Sequence, residues 1–255
     1  MQFSSIHLII VVMQVLEFSP EQGLYQFRLE ELHTELHAHP AQELLYTERG
    51  TFTLATEGGT YANLRLAVID ANVPHAVTAE GVLLHTALVE HHRGPVLRTL
   101  QSMGIPLTSG WFTSADRTEG PALLQAISAQ LSARSLGDAY EPRVRTVVRY
   151  LGTHTLDYEH MLETLSELVH LSSSRISHLF KQEVGISLKK YLLWCRLRAT
   201  IQQHLHSSQD LLASLFQSGF HDQPHFSKAF KSMLGVNPSF AYNSRTVQGP
   251  GSEEA

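Results

Sequence analysis

Residues 210–235, DLLASLFQSGFHDQPHFSKAFKSMLG, carry two short apolar-periodic runs broken by a glycine. Gly219 sits in the turn and Asp222 is placed to cap a helix. Pro224 falls near that helix's first turn, Phe226 and Phe230 share its inward face, and Gly235 marks its end. The spacing predicts a helix–turn–helix. Residues 162–185, LETLSELVHLSSSRISHLFKQEVG, repeat the layout. Leu162, Leu165, Leu168 and Val169 line one helix, Ser172 or Ser173 caps a second, Ile176, Leu179 and Phe180 face inward, and Gly185 closes it. Between the copies Ser187 caps the run LKKYLLWCRLRATIQQHL, 188–205. A helix of ~18 residues spans ~27 Å. That reach suits two recognition helices that must enter successive turns of DNA ~34 Å apart.

The charge distribution agrees. The whole chain of 255 residues has a net charge of −5, which alone argues against nucleic acid. Residues 1–157 hold 10 Lys and Arg against 16 Asp and Glu, a net of −6. Residues 158–245 hold 9 against 6, a net of +3, with seven histidines besides. A basic module joined to an acidic one points to a DNA reader attached to something else.

Residues 141–242 resemble the DNA-binding domain of AraC/XylS-type transcription regulators, through LFKQEVGISLKKY (179–191), RLRAT (196–200) and GFHDQPHFSKAFKSMLGVNPSF (219–240). His170 stands where the first turn normally has glycine, and histidine tolerates a left-handed backbone better than most residues. Leu215 stands where the second unit usually has alanine, so a close helix crossing must repack. The inward faces leave Ser174, Arg175, Ser177, His178 and Lys181 outward on the first recognition helix, and Gln223, His225, Ser227, Lys228 and Lys231 on the second. The resemblance points to Ser174, Ser177, His178, Gln223, His225 and Lys228 as DNA contacts. Gln can read adenine through two bonds, and Lys can meet guanine or phosphate.

The front half reads differently. Glu43–Thr47, Thr51–Thr56, Asn63–Ile69 and Val82–Val89 are short, partly alternating runs between turn signals, the pattern of an antiparallel sandwich or barrel. The run Ile6–Met13 reads as a buried strand, being short for a membrane span and lacking a basic leader. Past Gly94, Pro121 opens a helix with Leu123, Leu124, Ile127 and Leu131 on one face.

In HAHPAQELLYTERG, residues 37–50, alternation on a strand would put His37 and His39 on one side, and Glu43 can return to the same pocket after a bend at Pro40. The spacing H-x-H-x3-E-x6-G resembles the first motif of the cupin barrels. The second motif is partial: IDANVPHAV, 69–77, offers His75, with Asn72 in place of the turn glycine. Three histidines and a carboxylate would suit Zn, Fe, Mn or Ni, or the pocket would hold an organic effector instead.

The expected fold class is therefore α+β multidomain, an N-terminal antiparallel, cupin-like β-barrel followed by an all-α domain with two helix–turn–helix units on a long linker helix. The expected division is a sensor over 1–95, a helical linker over 96–140 offering a dimer contact through Leu123, Ile127 and Leu131, a DNA-binding domain over 141–245, and a disordered tail over 246–255. The expected function is a cytoplasmic, sequence-specific transcription regulator, monomer or homodimer, without catalytic turnover. Its expected partners are double-stranded DNA, a small-molecule or metal effector and RNA polymerase, with no membrane. The single cysteine, Cys195, fits a reducing compartment. The alternative is a metal-dependent cupin enzyme with an accessory helical domain.

Overall fold

A computed structural model of the chain describes residues 13–90, 93–131, 140–154, 158–206, 211–239 and 247–248. Eleven strands are described: β1 (Met13–Ser19), β2 (Leu24–Leu29), β3 (Leu32–His33), β4 (Ala41–Thr47), β5 (Phe52–Thr56), β6 (Gly59–Leu64), β7 (Leu66–Ile69), β8 (His75–Ala79), β9 (Leu84–Glu90), β10 (Trp111–Ser114) and β11 (Val247–Gln248). They form a seven-stranded sheet, β10-β7-β4-β9-β2-β1-β11, and a four-stranded sheet, β3-β8-β5-β6. Every pairing is antiparallel except that of β1 with β11.

Alternation explains how the large sheet is covered on both faces. On β4, flanked by β7 and β9, all seven residues are buried. Leu44 and Tyr46 pack with Val96, Leu100, Leu123, Ile127 and Leu131 of two helices, α1 (Arg93–Ser102) and α2 (Gly120–Leu131). Leu45 turns the other way and joins Phe52, Leu54 and Val77 of the small sheet. Glu43 shares the side of Leu45, so the strand that builds the core also aims a carboxylate between the sheets.

Three expectations change here. Within the expected 96–140 linker, residues up to 131 are no simple linker: β10 pairs with β7, and α1 and α2 lie on the sheet, while 132–139 lie outside the described residues. Leu123, Ile127 and Leu131 are fully buried in that core, so this face of α2 is unavailable to a second copy. A Cβ on Gly120 would stand 2.3 Å from the Tyr46 ring, which shows how closely α2 is seated. The strand expected over 63–69 is two, because Asn63 turns left-handed (φ 58°) and Arg65 breaks the run between β6 and β7. Of the tail, Val247–Gln248 are ordered along the edge of β1, whose free backbone groups accept any extended segment. Most of Ile6–Met13 and the rest of 246–255 lie outside the described residues.

The helical half contains α3 (Pro142–Thr153), α4 (Tyr158–Val169), α5 (Ser173–Val184), α6 (Leu188–His206), α7 (Leu211–Gln217) and α8 (Gln223–Leu234). Ser172 caps α5 by accepting from Arg175 N, and Asp222 caps α8 by accepting from His225 N at 2.6 Å. Ser187 Oγ accepts from Lys190 N at the start of α6. His170 makes the α4–α5 turn at φ 52°, as its left-handed tolerance allows, and Gly219 makes the α7–α8 turn at φ 84°. Leu215 is fully buried in the helical core with Phe220 and Phe226. Residues 194–198 of α6 are buried without interruption, so this helix is surrounded on all sides. One of its sides is covered by the large sheet, since Tyr25, Ala41 and Leu88 belong to the same apolar cluster as Trp194 and Leu197.

Candidate functional site

His37 and His75 face each other directly. Their backbones exchange both hydrogen bonds, His37 N to His75 O at 3.0 Å and His75 N to His37 O at 2.9 Å. His37 thus lies on an isolated bridge rather than in the regular strand expected of it. The bend at Pro40 then starts β4, which brings Glu43 underneath. His37, His39, Glu43 and His75 are all buried, and one donor atom from each lies within 4.8 Å of the others.

Each imidazole is held from behind by a backbone carbonyl. Nδ1 of His37 is 2.9 Å from Glu35 O, that of His39 is 3.0 Å from Ala41 O, and that of His75 is 2.8 Å from Val73 O. A carbonyl oxygen only accepts, so each Nδ1 carries a proton and each Nε2 is the nitrogen available inward. Thr86 Oγ1 donates to Glu43 Oε1 at 2.8 Å and fixes the carboxylate. Oε2 of Glu43 and Nε2 of His75 approach to 2.8 Å, yet neither atom makes an aligned hydrogen bond.

The electrostatics follow from burial. Desolvation, with His75 and His39 adding to it, pushes His37 down to about 3, so it is a neutral donor at ordinary pH. Burial alone would raise the Glu43 carboxyl. Contact with His39 and His75 outweighs it and holds Glu43 well below the usual carboxylate range. Burial works against a charged His75, but the carboxylate beside it raises its affinity for a proton. The centre therefore favours a carboxylate on Glu43, with His75 beside it and two further imidazoles around them.

That donor set fits a first-row divalent cation. The tautomers are fixed by the carbonyls behind the rings, a recurrent feature of histidine metal sites. The unaligned Oε2 and Nε2 are buried polar atoms that a cation would satisfy. Donors opposite each other across an ion at ~2.1 Å are ~4.2 Å apart, so only a small contraction is required.

The same centre forms one end of a larger cavity, with an empty volume of about 1070 Å³ counted to its open mouth. Its sheet wall includes Phe18, Tyr25, Phe27 and Leu88. Its other wall is helical: Trp194, Arg198 and Ile201 of α6 with Phe230 and Leu234 of α8. The lining is predominantly apolar. Trp194 stacks near His39, ring centroids 6.2 Å apart, and its buried indole nitrogen has no hydrogen-bond partner among the described residues.

On α5, Ser174, Arg175, His178 and Lys181 are exposed, while Ser177 is half-buried with its hydroxyl donating to Ser173 O. On α8, Gln223 and Lys228 are exposed. His225 and Ser227 are half-buried, and the His225 ring lies edge-on to Phe220 at 5.4 Å. Lys231 is engaged by the β domain: its Nζ is 2.6 Å from Glu35 Oε1.

Sequence reasoning missed Thr86, Trp194, Arg198 and Glu90. Arg198 sits inside the RLRAT run, and arginines following the apolar stretch YLLWC, 191–195, on one helix signal a buried carboxylate partner, though not which one. Among the described residues no helix is long and apolar enough to cross a membrane.

Comparison with known proteins gives the helical half its class. The family model described as "Helix-turn-helix domain" matches residues 165–242. The arabinose operon regulatory proteins of Salmonella typhimurium and Escherichia coli are each 34% identical over 108 residues, 41% of this chain. The chain spans only 37% and 36% of the length of those relatives. For the whole fold, a crystal structure of ToxT from Vibrio cholerae O395 aligns over 88% of this chain and 98% of its own at 11% identity, TM-score 0.56. A ToxT structure with unsaturated fatty acid bound aligns over 94% of this chain at 10% identity, TM-score 0.51. Residues 165–242 thus match a helix–turn–helix domain, and the order of a sheet-rich region followed by helices is shared with the ToxT fold.

Proposed function

We propose that this chain, with its AraC-type helix–turn–helix half, is a sequence-specific DNA-binding transcription regulator whose β domain senses a small molecule. The observation that carries the sensing role is the shared cavity. Phe27 and Leu88 on the sheet face Trp194 on the linker helix and Phe230 on the second recognition helix across one space. An occupant there contacts both halves at once, so it can favour one placement of the DNA reader over another. The apolar lining suits an elongated apolar molecule, and the unpaired indole nitrogen of Trp194 suits one with a hydrogen-bond acceptor. The fatty acid bound by ToxT has that chemistry. His37, His39, Glu43 and His75 are the set that would hold a divalent cation at the cavity's end. We assign no catalytic step to it.

DNA contacts are assigned to Ser174, Arg175, Ser177, His178 and Lys181 on α5, and to Gln223, His225, Ser227 and Lys228 on α8. The test is selection of duplexes from a random pool by the full chain. A defined sequence should emerge, and Gln223→Ala should weaken it by about 1–3 kcal/mol with relaxed preference at one base pair. A long-chain unsaturated fatty acid, used as the probe, should shift the affinity of the wild type and leave Leu88→Trp unmoved, because the larger ring fills the cavity. A pool without enrichment removes the DNA-reading role. Enrichment with no fatty-acid effect on either protein removes this effector class.

A further inference from the structure

Both recognition helices end on the loops that carry the histidines. Gly235, the left-handed cap of α8 (φ 71°), accepts from Glu35 N through its carbonyl at 2.8 Å. A Cβ at Gly235 would stand 2.6 Å from His37 Nδ1 and 2.6 Å from Thr34 Cβ, so only glycine lets α8 seat so deeply. Gly185, the left-handed cap of α5 (φ 87°), lies against Asn72, where a Cβ would be 3.2 Å from Nδ2. Asn72 in turn donates its backbone N–H to His39 O at 2.8 Å and stands three residues before His75. Thr34 is fastened to β8 by two bonds with Val77, at 2.9 and 2.7 Å. The cap of α8 therefore rests on the His37 loop, and the cap of α5 on the turn between His39 and His75.

We propose that a divalent cation bound by His37, His39, Glu43 and His75 fixes the C-terminal ends of both recognition helices on the β domain, so that cation binding and DNA binding are linked. This rests on the metal-centre reading above and adds its output. The four donors come from three segments: the 34–39 loop, β4, and the first residue of β8, which follows the Asn72 turn. Joining them to one ion removes their relative freedom. The glycine caps share backbone and van der Waals contacts with two of those segments, so the ends of α5 and α8 lose freedom with them. Linkage is reciprocal: whatever factor the cation contributes to DNA affinity, DNA returns to cation affinity.

The readout is hydrogen exchange of the Gly185 and Gly235 amides, which donate to Lys181 O at 3.0 Å and to Lys231 O at 2.9 Å. The full chain is compared with and without Zn²⁺, and Zn²⁺ binding is measured by calorimetry on the same samples. Exchange at both amides should slow by roughly 5-fold or more on Zn²⁺ addition, the low end of typical coupling between sites. The amide of Ile105, far along the chain in the α1 turn, should not change. Glu43→Gln should lose both Zn²⁺ binding and the slowing; if it fails to fold, His37→Gln replaces it. Stoichiometric Zn²⁺ binding with unchanged exchange at both caps overturns the coupling, and so does a wild type that binds no Zn²⁺. Selected-duplex binding is measured separately. Duplex affinity that Zn²⁺ leaves unchanged overturns the linkage to DNA, and failure to bind any selected duplex beside responsive caps removes the regulator reading and leaves only the cation's hold on the caps standing.

Discussion

Nη1 of Arg198, on α6, lies 2.7 Å from Oε2 of Glu90, the last residue of β9, with both side chains buried. The Tyr25 hydroxyl donates to the same carboxylate oxygen at 2.7 Å and accepts from Arg198 at 2.9 Å. Helix α6 is thereby bound to the large sheet by a charge pair that water does not screen. Removing one partner leaves the other charge buried and uncompensated. Arg198→Ala should therefore cost about 3–5 kcal/mol, whereas the apolar double replacement Arg198→Met with Glu90→Leu should cost far less. Urea unfolding of the three proteins decides this, and an equal loss in single and double variants would refute it.

Lys231 lies on α8, the second recognition helix of the proposed function, but is engaged by Glu35 of the β domain at 2.6 Å. Glu35→Gln should free that ammonium for a phosphate. DNA affinity should rise, and the slope of log K against log salt should steepen by about 0.9, one counterion's worth on duplex DNA. An unchanged slope would mean that Lys231 does not reach the backbone.

Cys195 is buried, and burial raises its thiol above the ordinary range although Arg198 Nη2 lies 3.2 Å from the sulfur and opposes the rise. Thiolate is the reactive form, so the native protein should resist a disulfide reagent at pH 8 and label only as fast as it opens. Rapid stoichiometric labelling without loss of structure would contradict the packing around α6.

His85 stacks on Tyr46, ring centroids 4.6 Å apart at 7°. Burial pushes its imidazole below the usual value; Glu48 opposes the shift and Arg28 adds to it. The unfolded chain therefore takes up this proton first as pH falls through ~6.5, and stability is lost there. His85→Phe keeps the stack without the proton. Its stability relative to wild type should improve between about pH 7.5 and 5.5, measured by denaturant midpoints. A pH-independent difference would assign the acid sensitivity elsewhere.

Much of the helical half is set by local physics, which a sequence states directly. Ser172, Asp222, Gly185 and Gly235 act on backbone groups within a few residues of themselves, and each cap forms where the spacing requires it. The convergence of His37, His39, Glu43 and His75 was legible for a related reason: a bridge, a bend and a strand bring near neighbours together, and only His75 comes from far along the chain. The fate of Leu123, Ile127 and Leu131 was not legible. An apolar helix stripe states that it will be buried, and it is silent on whether a sheet or a second copy covers it. The pairing of Arg198 with Glu90, 108 residues apart, and the seating of both glycine caps on the histidine loops belong to the same class. Such contacts depend on how two independently patterned bodies dock, and no periodicity within either segment encodes its partner. The sequence by itself determined the two helix–turn–helix units, their caps and the donor set; only the tertiary structure decided that the cavity beside those donors is walled by α6 and α8 as well as by the large sheet.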